Sequence, residues 1–256
     1  MSRRTRPAAQ EPTLAAALSR AAAAAPRGVV VLDLDSTLLD NRPRQARILQ
    51  DYGRVAGLPA LLEARAEHWQ GWDLRLAMAN AGLTPAEVAA HAGPARRFWA
   101  EWFFTSAYCR LDAALPGAAA FVRALASAGA RIAYVTGRPA RMIEGTLHVF
   151  RREGFPAPDG AGVHLLMKDD LALDDDAWKE VAAARVERLG PVVAAFDNEP
   201  AHVNLYARRF PEALVVHLAT DHSARPIAVL PGIPAIADFC SGPLTEEEPS
   251  AAAGVP

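Results

Sequence analysis

What most limits the fold of this chain is a repeated pairing: a short, nearly unbroken apolar run followed by a stretch of helical period. The runs occur at 28–32 (GVVVL), 131–135 (RIAYV), 162–166 (GVHLL), 191–196 (PVVAAF) and 213–217 (ALVVH). A strand with one wet face alternates polar and apolar residues, whereas a strand covered on both faces does not alternate. Helical patterns lie between the runs, at 117–128, 140–152, 175–189 and 201–209. Strands and helices in alternation predict a Rossmann-like α/β fold, a parallel sheet with helices on both faces. Apolar residues make up 51% of the chain, enough to cover such a sheet twice.

The alternation breaks once. Between 41 and 112 there is no strand-like run, only helical patterns at 44–55, 60–69 and 74–81 and from Pro85 into Phe98, Trp99, Trp102, Phe103 and Phe104. These aromatics have helical spacing, which suits the core of a separate helical unit better than a substrate platform. Arg96, Arg97, Trp99 and Trp102 are nonetheless open to either use. Length alone allows one domain with an insertion or two small domains. The pattern divides the chain into a tail and an Ala-rich helix at 1–27, an α/β core at 28–40 and 113–240, a helical cap at 41–112 and a disordered tail from 241. Within the first segment, 1–12 reads as a disordered tail and 13–25 as the helix. The last segment is rich in Pro, Glu and Ala and has no period.

Composition excludes several classes. The formal net charge is -2, with both signs spread along the chain. Arginine pairs (Arg3-Arg4, Arg96-Arg97, Arg151-Arg152, Arg208-Arg209) are isolated and read as solvated helix faces, so nucleic acid is a disfavoured partner. The two cysteines, Cys109 and Cys240, lie far apart and outside any CxxC pattern. They are expected as free thiols, with neither a disulfide framework nor a thiolate metal site. No stretch approaches the roughly 20 apolar residues of a membrane helix. Arg3-Arg4 resembles the start of a twin-arginine signal, but Gln10, Glu11, Ser19 and Arg20 interrupt the apolar residues after it. A signal peptide needs an apolar core of about 7–15 residues. The expected location is cytoplasmic, with no membrane partner.

The chemistry-bearing residues fall at the ends of the predicted strands, where open α/β sheets bind ligands. The first strand runs into Asp33 and Asp35, the second into Thr136-Gly137-Arg138, and the fourth into Asp197-Asn198-Glu199. Lys179 opens a helix just after Asp174-Asp175-Asp176. Singly, each has an ordinary structural use: an Asp caps a helix or forms a turn, Thr-Gly-Arg makes a turn, a lysine sits on the surface. Together and in this order they suit phosphoryl transfer. Two neighbouring carboxylates resist joint ionisation unless a cation joins them. Oxygen ligands suit magnesium. A carboxylate attacking phosphorus divides one hard step into two, and a second carboxyl can move the proton. A hydroxyl, backbone N–H groups and a fixed ammonium can hold the phosphoryl oxygens.

On these motifs the sequence resembles the haloacid dehalogenase-like hydrolase superfamily, in its phosphatase branch with a helical cap inserted after the first motif. The matching segments are DLDSTLLD at 33–40, YVTGR at 134–138, the lysine Lys179 (with Lys168 as the rival) and AFDNEP at 195–200. The resemblance implies Asp33 as nucleophile and magnesium ligand, and Asp35 as general acid/base that also binds the metal through its backbone carbonyl. It further implies Thr136, Gly137 and Lys179 around the phosphoryl group and Asp197 as a metal ligand. Ser36 stands where the family commonly has Gly. In the fourth motif the family often pairs two acidic residues; here either Asn198 or Glu199 would have to complete the metal site. Asp35 favours ester hydrolysis over dehalogenation, whose members lack that residue. The absence of lysine from 41–112 disfavours phosphonate cleavage.

The expected activity is therefore a Mg²⁺-dependent phosphomonoesterase acting on a small phosphorylated metabolite. Two alternatives stand beside it. The spacing of Lys179 to Asp197 also resembles the phosphatase domain of polynucleotide kinase-phosphatases, which act on nucleic-acid 3′-phosphates. The altered fourth motif leaves room for a catalytically silent binding protein on the same fold.

Overall fold

The computed structural model describes residues 7–241. The first helix, α1 (Gln10–Ala23), leads into strand β1 (Val29–Leu32) and the short strand β2 (Leu39–Asp40). A helical unit comes next: α2 (Arg42–Ala56), α3 (Leu74–Asn80), α4 (Pro85–Phe103) and α5 (Ser106–Cys109). Strand β3 (Ala113–Ala114) brings the chain back to the core. The core then alternates through α6 (Ala118–Ser127), β4 (Arg131–Pro139), α7 (Ile143–Glu153), β5 (Val163–Lys168), α8 (Asp175–Glu187), β6 (Val192–Asp197), α9 (Pro200–Arg209), β7 (Leu214–Leu218) and β8 (Ala235–Ile236).

Six of these strands form one parallel sheet in the order β5-β4-β1-β6-β7-β8. The pleat sends alternate side chains to opposite faces. Val30, Leu32, Ile132, Tyr134, Ala194 and Phe196 pack with α1, α6 and α7. Val29, Val31, Ala133, Val135, Ala195 and Val215 pack with α8 and α9. Both faces are dry, which is why the apolar runs do not alternate.

The helical unit has its own core, including Ile48, Leu49, Tyr52, Leu61, Trp69, Met78, Trp99 and Phe103. Trp99 stacks on Phe103 with ring centroids 4.3 Å apart. The ladder Leu39↔Ala114 and Asp40↔Ala113, antiparallel, holds the outgoing and returning chains together at its neck. Thr84 and Glu87 cap α4 reciprocally, and Pro85 opens it.

Two expected elements differ. The helix expected at 60–69 is instead two short 3-10 turns, Pro59–Glu63 and Ala66–His68. Ala64 between them is extended, and the Gln50 side chain donates to its carbonyl at 2.7 Å, which removes that acceptor from any helical ladder. Helix α1 starts at Gln10, inside the stretch read as a disordered tail. The Gln10 amide donates to Asp238 Oδ1 at 2.7 Å and to the Cys240 carbonyl at 2.9 Å, and it accepts from Ala237 N at 2.9 Å. This is a tertiary anchor that no local pattern announces. The twin-arginine pair and the C-terminal tail beyond Ser241 lie outside the described residues. Among the described residues Cys109 is a buried free thiol, and no helix is long and apolar enough to cross a membrane.

Candidate active site

Strands β4, β1 and β6 lie side by side, and their carboxyl ends carry the site. Asp33 continues β1, its N–H donating to the Phe196 carbonyl at 3.0 Å. Asp197 closes β6 beside it. Lys179 comes from α8, whose start is set by Asp174: its Oδ1 accepts from the N–H groups of Asp176 and Ala177. That start turns Trp178 and Lys179 toward the sheet. Trp178 Nε1 donates to the Thr136 carbonyl at 2.8 Å. Lys179 Nζ donates to Asp33 Oδ1 at 2.8 Å, Asp197 Oδ2 at 2.7 Å and the Val135 carbonyl at 3.0 Å. All three ammonium hydrogens therefore have acceptors in a buried place. The rival lysine, Lys168, sits at the end of β5 and pairs with the exposed carboxylate of Asp175 at 2.7 Å.

Thr136 is fully buried, and its Oγ1 accepts from Arg138 N at 3.2 Å. Gly137 is next and, contrary to the expected turn, lies inside β4, which runs on to Pro139 with an irregular register after Val135; a Cβ there would stand 3.0 Å from Asp175 Oδ1, so a side chain would crowd the start of α8. Ser36 has φ 59°, the left-handed region where glycine is at ease. Ser36 holds the conformation with its N–H on the Leu39 carbonyl at 2.7 Å.

Asp35 lies in a second charge cluster. Arg138 donates Nε to its Oδ2 at 2.7 Å and Nη2 to its Oδ1 at 2.9 Å. Arg44 Nη2 reaches Oδ1 at 2.5 Å, and Asn41 Nδ2 donates to the same oxygen at 3.2 Å. Asp112 closes the ring, 2.6 Å from Arg138 Nη2 and 2.9 Å from Arg44 Nε. The guanidinium of Arg44 also lies 4.0 Å over the Phe103 ring and donates to the Phe103 carbonyl at 3.0 Å. Two cations and two anions thus cancel within the neck. Arg44 is supplied by α2, Asp112 by the returning chain and Arg138 by β4. Arg44, Arg138 and Asp112 are all buried.

The electrostatics separate the carboxylates. Burial works to raise Asp35, but Arg138 and then Arg44 outweigh it and hold the carboxyl well below the usual range. At Asp33 burial prevails over Lys179, with the charges of Asp197 and Asp35 adding, and the group is pushed up to about 6. Asp197 is also buried, yet Lys179 and His202 keep it low. Burial pushes Asp112 up to about 6 despite its two arginines.

An outer shell fixes the fourth motif. Asp197 Oδ1 accepts from Glu199 N at 2.9 Å and lies 3.5 Å from His202 Nδ1. His202 Nε2 is 3.0 Å from Asp176, which pairs with Arg225 at 2.6 Å. Arg225 also donates to Glu199 at 3.0 Å, and Ser223 donates its N–H and hydroxyl to the same carboxylate. Asn198 accepts from the Thr37 hydroxyl at 3.1 Å and donates to the Asp221 carbonyl at 2.6 Å. Both side chains that were candidates to finish a metal site are thus engaged with neighbouring loops. Sequence reasoning did not single out Arg44, Asp112, His202, Asp176 or Arg225, and used Arg138 only as part of a turn. Its place in Thr-Gly-Arg at a strand end was the one available signal.

Among the described residues no three His, Cys, Asp or Glu side chains form a ready metal cage. The donors present are two carboxylates, Asp33 and Asp197, and the backbone carbonyl of Asp35. Magnesium is typically held by one or two carboxylates together with water and phosphate, so this oxygen-only set suits it. The residues fit a hard divalent cation.

Comparison with solved structures returns the same fold at low identity. A haloacid dehalogenase-superfamily hydrolase of subfamily IA from Geobacter sulfurreducens aligns with TM-score 0.51 at 14% identity, covering 84% of this chain and 94% of that one. The protein tyrosine kinase A structure of Mycobacterium tuberculosis aligns with TM-score 0.51 at 18% identity, over 84% and 95%. A class C acid phosphatase from Bacillus anthracis is more distant, with TM-score 0.42 at 18% identity over 76% and 65%. Among curated proteins no match is found. The family model for haloacid dehalogenase-like hydrolases matches residues 30–207, from within β1 into α9. The chain belongs to the haloacid dehalogenase-like hydrolase family.

Proposed function

We propose that this hydrolase is a magnesium-dependent phosphomonoesterase acting on a small phosphorylated metabolite through an aspartyl-phosphate on Asp33. The observation that carries the reading is the buried contact of Asp33 with Lys179, shared with Asp197, at the ends of adjacent strands. Lys179 occupies Oδ1 of Asp33, which leaves Oδ2 as the attacking oxygen. As the Oδ2–phosphorus bond forms, the bond from phosphorus to the leaving oxygen breaks, and Asp35 gives that oxygen its proton. Water then attacks phosphorus and passes its proton to Asp35. The Asp33–phosphorus bond breaks, and inorganic phosphate leaves. Thr136, the backbone N–H of Gly137 and Lys179, which would exchange one of its present carboxylate contacts for the substrate, are read as the groups that hold the phosphoryl oxygens. Asp33, Asp197 and the Asp35 carbonyl would hold magnesium, which supplies positive charge against those oxygens.

Asp35 is now held as an anion by two arginines. One of them, Arg44, belongs to the helical unit, read here as a cap. Withdrawing it leaves Asp35 with Arg138 alone and raises its affinity for a proton. Cap position and acid strength are thereby linked.

The test is direct. Purified protein with Mg²⁺ releases phosphate from p-nitrophenyl phosphate, and EDTA or Asp33→Asn each abolish this. Turnover surviving Asp33→Asn sinks the mechanism. A preference for 3′-phosphorylated oligonucleotides over metabolite phosphates moves the substrate class to nucleic acid. No turnover of any phosphate ester points to a silent binding protein on this fold.

A further inference from the structure

The carboxylate of Asp197 is held from three directions. Lys179 Nζ donates to Oδ2 at 2.7 Å, Glu199 N donates to Oδ1 at 2.9 Å, and His202 Nδ1 lies 3.5 Å from the same Oδ1. The last is an electrostatic contact rather than a full hydrogen bond. His202 stands in the first turn of α9 and is buried. Pro200 opens that helix, and the N–H of His202 donates back to the Glu199 carbonyl at 3.0 Å. This turn fixes the root of the imidazole beside Asp197.

The other edge of the ring faces α8. His202 Nε2 is 3.0 Å from Asp176 Oδ1. Arg225 grips that carboxylate, donating Nη1 to Oδ2 at 2.6 Å and Nη2 to Oδ1 at 3.1 Å, and Nη2 also reaches Glu199 Oε1 at 3.0 Å. Arg225 and Asp176 are partly exposed, whereas His202, Asp197, Lys179 and Asp33 are buried. One chain of polar contacts therefore runs from the surface to Asp33. Asp176 and Lys179 are three residues apart on α8 and share a helix face. His202 ties α9 to the face that delivers Lys179, and the same ring touches Asp197. A single side chain thus registers the lysine and the carboxylate against each other.

The two helices are joined again farther along. Arg209 on α9 donates Nε to Glu187 Oε1 at 2.9 Å and Nη2 to Glu187 Oε2 at 2.8 Å on α8. That bridge docks the helices without touching Asp197. His202 adds what the bridge cannot. The terminal torsion of an aspartate is broad, so its oxygens turn unless they are tethered. Contacts to both oxygens from α8, α9 and the backbone leave Asp197 one orientation.

We propose that His202, held by Asp176 and Arg225, is a positioning residue for Asp197 and sets the affinity of the site for its divalent cation. It acts through Asp197, as partners of metal-binding carboxylates do. The inference rests on the reading of Asp197 as a magnesium ligand and names the residues that orient that ligand.

The test is the Mg²⁺ Kd of the full chain, read from the rise in melting temperature over a Mg²⁺ titration at fixed pH. His202→Ala should raise that Kd at least about tenfold, the usual effect of losing such a partner. His202→Asn keeps an amide nitrogen near the place of Nδ1 and should recover most of the loss. Arg225→Ala, at a partly exposed position, should raise the Kd by a smaller factor, and it carries the test if His202→Ala does not fold. Arg209→Ala removes the remote bridge and should leave the Mg²⁺ Kd unchanged. An unchanged Kd in folded His202→Ala, no recovery in His202→Asn, or an equal rise in Arg209→Ala overturns the inference, while Mg²⁺ binding by wild type upholds the metal reading. If His202→Ala is unfolded, an unchanged Kd in Arg225→Ala overturns it. A wild-type melt that Mg²⁺ does not move overturns both.

Discussion

Replacing Lys179 with Met tests the centre of the site. The side chain keeps its length but loses an ammonium that serves Asp33 and Asp197 at 2.8 and 2.7 Å in a buried place. Two carboxylates are then left facing each other without a counter-charge. Removing one partner of a buried pair costs about 3–5 kcal/mol. At about 2–4 °C per kcal/mol for a chain of this size, the melting temperature should fall by roughly 6–20 °C. The measurement is thermal unfolding followed by circular dichroism, in EDTA so that no metal substitutes for the lost charge. The loss should shrink in acid. Asp33 already binds its proton more tightly in the folded state, and without Lys179 it does so further, so protonation near about pH 5 relieves the repulsion. Lys168→Met is the control: its partner Asp175 is mostly exposed, and such a pair is worth about 1 kcal/mol or less. A Lys179→Met melt indistinguishable from wild type at neutral pH would refute the buried-bridge argument. A lowered melt with unchanged turnover of p-nitrophenyl phosphate would confine Lys179 to a structural role.

The same charges give three more expectations. Arg44→Met strands part of the charge on Asp35 and Asp112, so it should cost about 3–5 kcal/mol in denaturant unfolding. Adding Asp112→Asn should recover part of that loss, and strict additivity of the two would show that the ring is not coupled. In the proposed mechanism Asp33 must be ionised to attack, and burial raises its pKa to about 6. The pH profile of kcat/KM should therefore fall on the acid side of about pH 6 rather than about 4. Raising Mg²⁺ should move that limb lower, because a cation favours the charged form; a limb unmoved by Mg²⁺ would count against metal contact with Asp33. Finally, Mg²⁺ at about 100 times its Kd should stabilise the protein by about 2.7 kcal/mol, seen as a higher melting temperature than in EDTA. Asp197→Asn should remove most of that difference.

How much was visible in the chain depends on how local each cause is. Strand burial on both faces is written in GVVVL and PVVAAF without alternation, so the parallel α/β core can be read from the sequence alone. The helical stretch interrupting it is equally plain, because periodicity needs only neighbouring residues. So is the placing of Asp33 and Asp197 at strand ends, whereas Thr136 falls inside β4, at the irregular stretch before Pro139. The break at Ala64 and the start of α1 at Gln10 were not visible, because distant groups decide them: a Gln50 side chain in one case, the segment 237–240 in the other. Side-chain partners are decided the same way. That Lys179 meets Asp33 while Lys168 meets Asp175 depends on where α8 starts and how it packs on β4. The gathering of Arg44, Asp112 and Arg138 around Asp35 joins residues from both sides of the neck and the adjacent strand. Short-range patterns determine which elements form and where polar residues leave them. Only close packing of those elements selects which buried charge lies against which, because a buried ion is tolerated only where its partners arrive from elsewhere in the chain.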